Sequence, residues 1–360
     1  MAVILVISIS SVHVYRVLTR NAVQILHSEK KLINVLIAGT NSKKAGKFNF
    51  FAIVTVNSTN NHVGITYLPS SYRVELTDSG NEFAKLSDID FSNYEIVRKS
   101  LLKNLKLNVP FYVAIDASDV SRFTDLIGGI DLFVLDQYSD ASIANHESYY
   151  FDGVKIMEYI NNVQNNSIYI KYDRIQDIIM TLFSNKNNYT KLLSLNHIAK
   201  LTGNIKSNMY IQEMFSLAEI VVNTEYVLST IAPGSYRDGY YIVDEIAFQL
   251  YENDFLRQIV LGIASENPIR VNIVNATAQS GLARRMRNHL NRDMVSVLEF
   301  SSSPYGQFEN STLIGRTGDN RTVKRISELT GITRIYYVTD NTQLNNVMVI
   351  LGNDISNIQQ

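Results

Sequence analysis

Cysteine is absent from the 360-residue chain. That excludes disulfides, thiolate metal sites, iron–sulfur clusters and cysteine nucleophiles together, while saying nothing of compartment. Excess charge is missing too. Lys and Arg number 33 against 34 Asp and Glu, a formal net charge of −1, so no global field draws the chain onto DNA, RNA or an anionic bilayer, and no nucleic-acid partner is expected. The six histidines (His13, His27, His62, His146, His197 and His289) stand singly, with no HxxxH or HxH spacing that would suit a metal. The stretch TLIGRTGDNRT has glycines but neither a P-loop lysine nor a G-x-G-x-x-G, so a nucleotide site has no support. No short-period tandem repeat occurs, and the patches NNHV, NNVQNN and NKNN read as composition bias.

Hydrophobic residues are plentiful, at 46% of the chain against 19% charged, which is material for globular cores rather than disorder. A chain of 360 residues exceeds the roughly 250 to 300 at which single cores stop growing, so two folded units are expected. The densest apolar run is AVILVISISSVHVYRV, Ala2 to Val17. It is expected to be a membrane anchor, although a full span takes about 20 apolar residues and this run carries Ser and His. No Lys or Arg precedes it to hold the amino end inside. Either Met1 is an internal methionine of a longer anchor, or the segment is a weak, uncleaved signal anchor; a buried strand is the alternative.

Beyond a polar joint at about Ser28 to Lys31, strand and helix patterns alternate. LINVLIAG, FFAIVTVN, HVGITYLP and VPFYVAID read as strands, with a hairpin signal at STNN. Helical spacing marks Tyr94–Leu107, then Asp119–Ile127 closing at Gly128-Gly129, then Val154–Ile160 and Asp173–Phe183. Two more amphipathic helices are expected within residues 191–222, and APGSYRDGYYIVD as a glycine-rich loop feeding a strand. A helix ending near Leu256 closes the first unit, and GIASENP marks the boundary. Strands at IRVNIVN, VSVLEF, RIYYVT and NVMVILG, with helices at Gly281–Leu290 and Thr322–Thr330, form a second unit.

The order NVLIAGTNSKK, FNFFAIVTVN, VGITYLPSS, VPFYVAIDASDVSRFTDLIGGIDLFV and FDGVKIMEYI resembles the LytR-CpsA-Psr family over roughly residues 33–257. LIGGIDLFV is its most specific element, and FDGVKIMEYI is similar to an LDGxxALxYxR motif. RVNIVNATAQSGLARRM and VMVILGND resemble a separate LytR C-terminal domain over 269–353. The fold class is therefore α/β: a mixed sheet flanked by helices, then a smaller α/β domain. The expected division is 1–31 anchor and joint, 32–260 first domain and 268–354 second. The resemblance implies single-pass attachment to the cytoplasmic membrane with both domains outside, and a polyprenyl-linked glycan or peptidoglycan as partner. Active members move glycopolymer from polyprenyl pyrophosphate to peptidoglycan with magnesium, which takes carboxylates for the ion, arginines for the phosphate oxygens and a greasy cavity for the lipid.

At those motifs the chain departs from the family. A G-x-D-x-R turn becomes Gly39, Thr40, Asn41, Ser42, Lys43; R-S-D-T becomes Lys47, Phe48, Asn49, Phe50; I-P-R-D becomes Leu68, Pro69, Ser70, Ser71. Asn161 and Val163 stand where arginines are expected after Tyr159, while Arg174 keeps one. An Asn carbonyl can bind a cation but brings no charge, and loss of one preorganised charge donor commonly costs about 10²-fold to 10³-fold in rate. The resemblance thus implies a pseudoenzyme that binds a ligand or organises envelope assembly, with no cofactor, and magnesium only in the alternative reading of an active phosphotransferase. Asn41, Lys43, Asn49, Ser70 and Arg174 are the candidate ligand-binding residues. The pairs Asp88/Asp90 and Asp116/Asp119 are expected to cap helices or face solvent rather than act as acid and base. Arg284, Arg285 and Arg287 are expected on a solvated helix face.

Overall fold

The computed structural model describes residues 20–40, 47–77, 81–134, 148–161, 167–186, 194–203, 205–262, 267–293, 295–304, 306–340 and 342–355. The apolar run at 2–17, and with it the expected anchor, lies outside them. Among the described residues no helix is long and apolar enough to cross a membrane.

The first unit opens with helix α1 (Ala22–Ser28), capped by Asn21, whose side chain accepts from Gln24 N while Gln24 reaches back to Asn21 N. Val23 of α1 is fully buried, so ordered structure begins before the joint expected at residues 28–31. Strands β1 (Ile33–Thr40), β2 (Phe50–Asn57) and β3 (His62–Leu68) follow, then the short pair β4 (Arg73–Glu75) and β5 (Phe83–Lys85). Next come α2 (Tyr94–Leu105), β6 (Phe111–Asp116), α3 (Ala117–Leu126), β7 (Ile130–Phe133), β8 (Ser148–Phe151), α4 (Gly153–Asn161) and α5 (Ile168–Ser184). The unit ends with α6 (Leu195–Thr202), β9 (Lys206–Ser207), α7 (Ile211–Val222), β10 (Tyr226–Ile231), β11 (Ser235–Arg237), β12 (Tyr240–Ile242), α8 (Glu245–Leu250) and α9 (Arg257–Leu261). A π-helical stretch at Tyr251–Leu256 joins the last two helices. The closing helix therefore runs beyond Leu256. The stretch expected as a loop feeding one strand is a hairpin, β11 against β12, turning at Asp238-Gly239 with both residues at positive φ.

One six-stranded mixed sheet, in the order β10-β3-β2-β1-β6-β9, organises this unit. Alternation along its strands feeds two cores. Ile33 and Val35 of β1 join Ala52, Val56, Ile65 and Tyr67 on one face, covered by α5 and α7 through Tyr172, Met180 and Leu217. Leu36 and Ala38 join Phe51, Ile53 and Leu68 on the other, covered by α2 through Val97, Leu101 and Leu105. Being buried on both faces is why β1 reads as a continuous apolar run. Gly128 and Gly129 hold φ near +82° and +84° at the end of α3, where a side chain would be strained, and so turn the chain into β7.

The second unit comprises β13 (Arg270–Asn275), α10 (Leu282–Leu290), β14 (Ser296–Ser302), β15 (Thr312–Gly315), α11 (Asn320–Thr330), β16 (Ile335–Tyr337) and β17 (Val347–Leu351), with its sheet ordered β14-β13-β17-β15-β16. β15 lies within the TLIG stretch that carried no strand expectation. It is short and runs antiparallel to β17, fully buried along its length, and its four residues give no alternation to read. Arg287 of α10 sits over the Phe300 ring at 4.6 Å, so that arginine is stacked rather than merely solvated.

Candidate functional site

Register brings the ends of five strands to one edge of the first sheet. Thr40 of β1 pairs with Asp116 of β6, Gly39 with Phe50 of β2, Phe51 with Leu68 of β3, and Tyr67 with Ile231 of β10. This is the carboxyl edge of the parallel strands, where open α/β sheets present their ligand crevices. Asn49 immediately precedes Phe50 and Ser70 follows Leu68 by two residues, so two of the candidate residues meet here. Asn49 N donates to Gly39 O at 2.9 Å, and Ser70 O accepts from Ser87 N at 3.0 Å. Asn41 and Lys43 lie outside the described residues; the chain leaves Thr40 from this same edge.

Arg174 is held elsewhere. Its helix α5 presents Tyr172 to the sheet, where the hydroxyl donates to Leu68 O at 2.9 Å, and Tyr172 stacks on Tyr67 at 5.1 Å. Two positions on is about 200° around a helix. Arg174, 7% exposed, donates to Tyr159 O and lies over the Tyr159 ring at 4.9 Å.

The neighbouring Asp177 escaped notice in the sequence, where it was one acid among 34 acidic residues. It is 2% exposed, accepts from Tyr159 Oη at 2.9 Å and from the backbone N–H of Thr339 in the second unit at 2.6 Å. Burial pushes its carboxyl up to about 7, against the pull of those two donors.

Beside β1 the edge opens into a cleft of about 570 Å³ lined by Thr40, Lys47, Phe48, Asp88, Asp90 and Lys206, among others. Lys47 pairs with Asp88 at 3.4 Å and Lys206 with Asp90 at 3.6 Å. Asp90 also caps the turn at Phe91–Asn93 by accepting from Ser92 N, and that bond holds its carboxyl below the usual range. Asp116 and Asp119 form a reciprocal capping box at the start of α3, as expected. Among the described residues no three His, Asp or Glu side chains converge on a point a metal could occupy. The donors at this edge, among the described residues, are an amide, hydroxyls, Asp116 held in its capping box, and Asp88 and Asp90 paired with lysines, a set that does not fit a magnesium ion.

The LytR_cpsA_psr family model matches residues 6–255, more than half of the chain, and the protein belongs to that family. A second model, LytR cell envelope-related transcriptional attenuator, matches residues 268–354, the unit that carries β13–β17. No curated protein matches the sequence. Among solved structures, TagT bound to LIIa-WTA aligns over 64% of this chain and 91% of its own at 15% identity and a TM-score of 0.51. TagV of B. subtilis aligns over 66% and 99% at 19% identity and 0.50. A transcriptional regulator of Enterococcus faecalis, EF0465, aligns over 66% and 90% at 15% identity and 0.50. At these identities the likeness shows a shared fold. The chain is thus a cell-envelope protein of the LytR-CpsA-Psr type, with a mixed sheet flanked by helices and a smaller α/β unit behind it.

Proposed function

We propose that this protein is a catalytically degenerate member of its family, which binds a lipid-linked glycan or peptidoglycan at the carboxyl edge of the first sheet, or organises envelope assembly from there. The observation that carries the reading is the chemistry of that edge. Asn49 and Ser70 sit where a pyrophosphate chemistry calls for carboxylate and guanidinium, and the acids nearby, Asp88 and Asp90, are paired with Lys47 and Lys206. Such an edge offers hydrogen bonds without the net charge needed to neutralise a pyrophosphate. A glycan ligand accords with TagT, which is bound to LIIa-WTA. The localisation proposed with this function is the cytoplasmic membrane, through the segment at residues 2–17, with both domains outside the cytoplasm.

Purified protein is expected to show no magnesium-dependent release of phosphate from polyprenyl pyrophosphate or of glycan from lipid-linked donors, while still binding the donor. Metal-dependent turnover that Arg174→Ala abolishes would establish the other reading, an active phosphotransferase. Restoring Asn41→Asp, Asn49→Asp and Ser70→Arg together is the converse test, because residues that act as a unit give little when restored singly.

A further inference from the structure

The second sheet ends in an edge of its own. β14 pairs with β13 on one side and with no described strand on the other, and its Leu298 and Phe300 are 46% and 37% exposed. Ser303 N donates to Asn275 O at 2.8 Å, so by the alternation of a strand Ser301 turns its N–H and C=O to β13 while Phe300 and Ser302 turn theirs outward. Those outward groups are a template for another strand. Phe300 pairs in register with Ile273, which belongs to the core that α10 covers through Leu282 and Met286. Arg287 of α10 sits over the Phe300 ring at 4.6 Å, which sets one flank of the helix beside β14. Arg284, three positions earlier, shares that flank and is exposed. Neither arginine has a carboxylate partner among the described residues: Arg287 Nη2 donates to Asn288 Oδ1 at 3.2 Å, and Asp293, just past the helix, pairs with Arg325 at 4.0 Å. Glu299, opposite Asn272 in the register, lies on the other face of the sheet.

We infer that the free edge of β14 is a docking site for an extended, acidic segment of a partner protein, which adds to the five-stranded second sheet as a further strand. Backbone pairing to Phe300 and Ser302 supplies affinity whatever the sequence, and the side chains of the added strand supply the choice. On the α10 face those side chains meet Arg284 and Arg287, whose planar guanidinium groups favour carboxylates. Leu298 and the open rim of Phe300 lose water in the same step. The register shift after Val271 leaves Leu298 as a bulge, which confines the pairing edge to residues 299–302 and bars the long, flat contact on which indiscriminate aggregation depends. A second copy of this chain fits poorly. Pairing two β14 edges about a two-fold axis sets the α10 flanks side by side on one face, arginine towards arginine, and like charges so opposed repel. An anionic polymer would meet the arginines equally well but has no donors and acceptors spaced to match the strand, so the open backbone favours a peptide. Docking here does not depend on the ligand proposed for the first sheet.

The test uses the full chain in detergent micelles and a short labelled peptide that alternates valine and aspartate. Binding is followed by fluorescence anisotropy, with Tm as the check on folding. Saturable binding is expected, with slowed hydrogen exchange at the amides of Phe300 and Ser302. Arg284→Ala and Arg287→Ala together should weaken it by about tenfold, the loss of two ion pairs near the surface. Ser302→Pro removes an outward N–H at an edge position where proline is tolerated, and should abolish binding at unchanged Tm. Peptides N-methylated at alternate residues, or with lysine in place of aspartate, should not compete. If Ser302→Pro lowers Tm, the methylated peptide carries the test of backbone pairing. Failure of the native chain to bind the peptide overturns the docking site, as does a methylated peptide that binds as tightly as its parent. Affinity unchanged in the double arginine variant refutes an acidic partner. Inorganic polyphosphate that displaces the peptide, where methylation makes no difference, would mark an anion patch and not a strand edge, and it too overturns the inference.

Discussion

Single atoms decide several features of this molecule, and Gly153 is the clearest. A Cβ there would lie 2.2 Å from the Ser121 carbonyl oxygen, a backbone atom that cannot rotate away. Gly153→Ala is expected to cost about 1–3 kcal/mol, the range for overpacking, visible as a lowered Tm with the same far-ultraviolet spectrum; an unchanged Tm would show that α3 and α4 separate freely. Asp177 makes a different argument, about protons. Its folded carboxyl titrates near 7 against an ordinary value of 3.8. The native state therefore binds more protons than the unfolded chain between those values, and this group's contribution to stability is full below about pH 4 and is lost as pH rises through 7. Asp319, pushed up to about 6 by burial, acts in the same direction, so the measurement is a difference. The fall in Tm between pH 4.5 and 7.5 should be smaller in Asp177→Asn than in the native chain, and equal slopes would refute the assignment. Nothing in the sequence singled out Asp177. Its environment is made by Thr339, 162 residues away, and the spacing of residues along α5 does not encode that partner.

At the scale of elements, the second unit closes an open edge. β10 is an edge strand of the first sheet, and exposed edges recruit other strands. Here Ser229 N donates to Gly318 O at 2.9 Å, Val227 N to Asn320 Oδ1 at 2.9 Å, and Asn320 Nδ2 to Glu225 O at 3.2 Å. Arg321 lies 3.7 Å from the Tyr226 ring centroid, and Phe133 of β7 is buried among Val274, Ala276, Ile314 and Ile350. Asn320→Ala would leave a buried N–H of β10 without its acceptor, a cost of about 1–3 kcal/mol. Hydrogen exchange at Val227 should quicken while the core amides of β1 stay protected, and an unaltered rate would mean that the contact is dispensable. The principal strands and helices of both units were legible in the sequence, because burial on one or two faces leaves a period of two or a continuous apolar run, and helices leave one near 3.6. The β11–β12 hairpin was not, although Asp238-Gly239 is a known turn pair; the dense glycines and aromatics around it masked the alternation. β9, at two residues, is too short to carry any period.

For the whole molecule, the second unit packs against β10, Phe133 and Asp177 of the first. Asn49 and Ser70 could be placed at one edge from motif order alone, whereas Arg174 could not, because its direction depends on which face of α5 meets the sheet, and Tyr172 takes that face. The units also differ in what they need from each other. Residues 268–354 own a complete five-stranded sheet and a core of Val271, Leu282, Met286, Val323 and Val349. Residues 20–262 alone would expose the β10 edge and Phe133. The segment 268–354 expressed by itself is therefore expected to melt cooperatively, while a chain ending at Gly262 should aggregate or lose protection at β10. A non-cooperative product from the first, or a soluble monomer with native β10 protection from the second, would show that the dependence runs otherwise. Placement across the membrane gives the last prediction. The apolar run at residues 2–17 and membership of a cell-envelope family are the grounds on which we propose that everything after about residue 30 lies outside the cytoplasm. A reporter that matures only outside the cytoplasm, fused after Gln360, should be active, and deleting residues 2–17 should silence it. Activity confined to a reporter that works only inside would place the sheet edge and its Lys–Asp pairs away from any envelope glycan, and the proposed ligand would fall with the location.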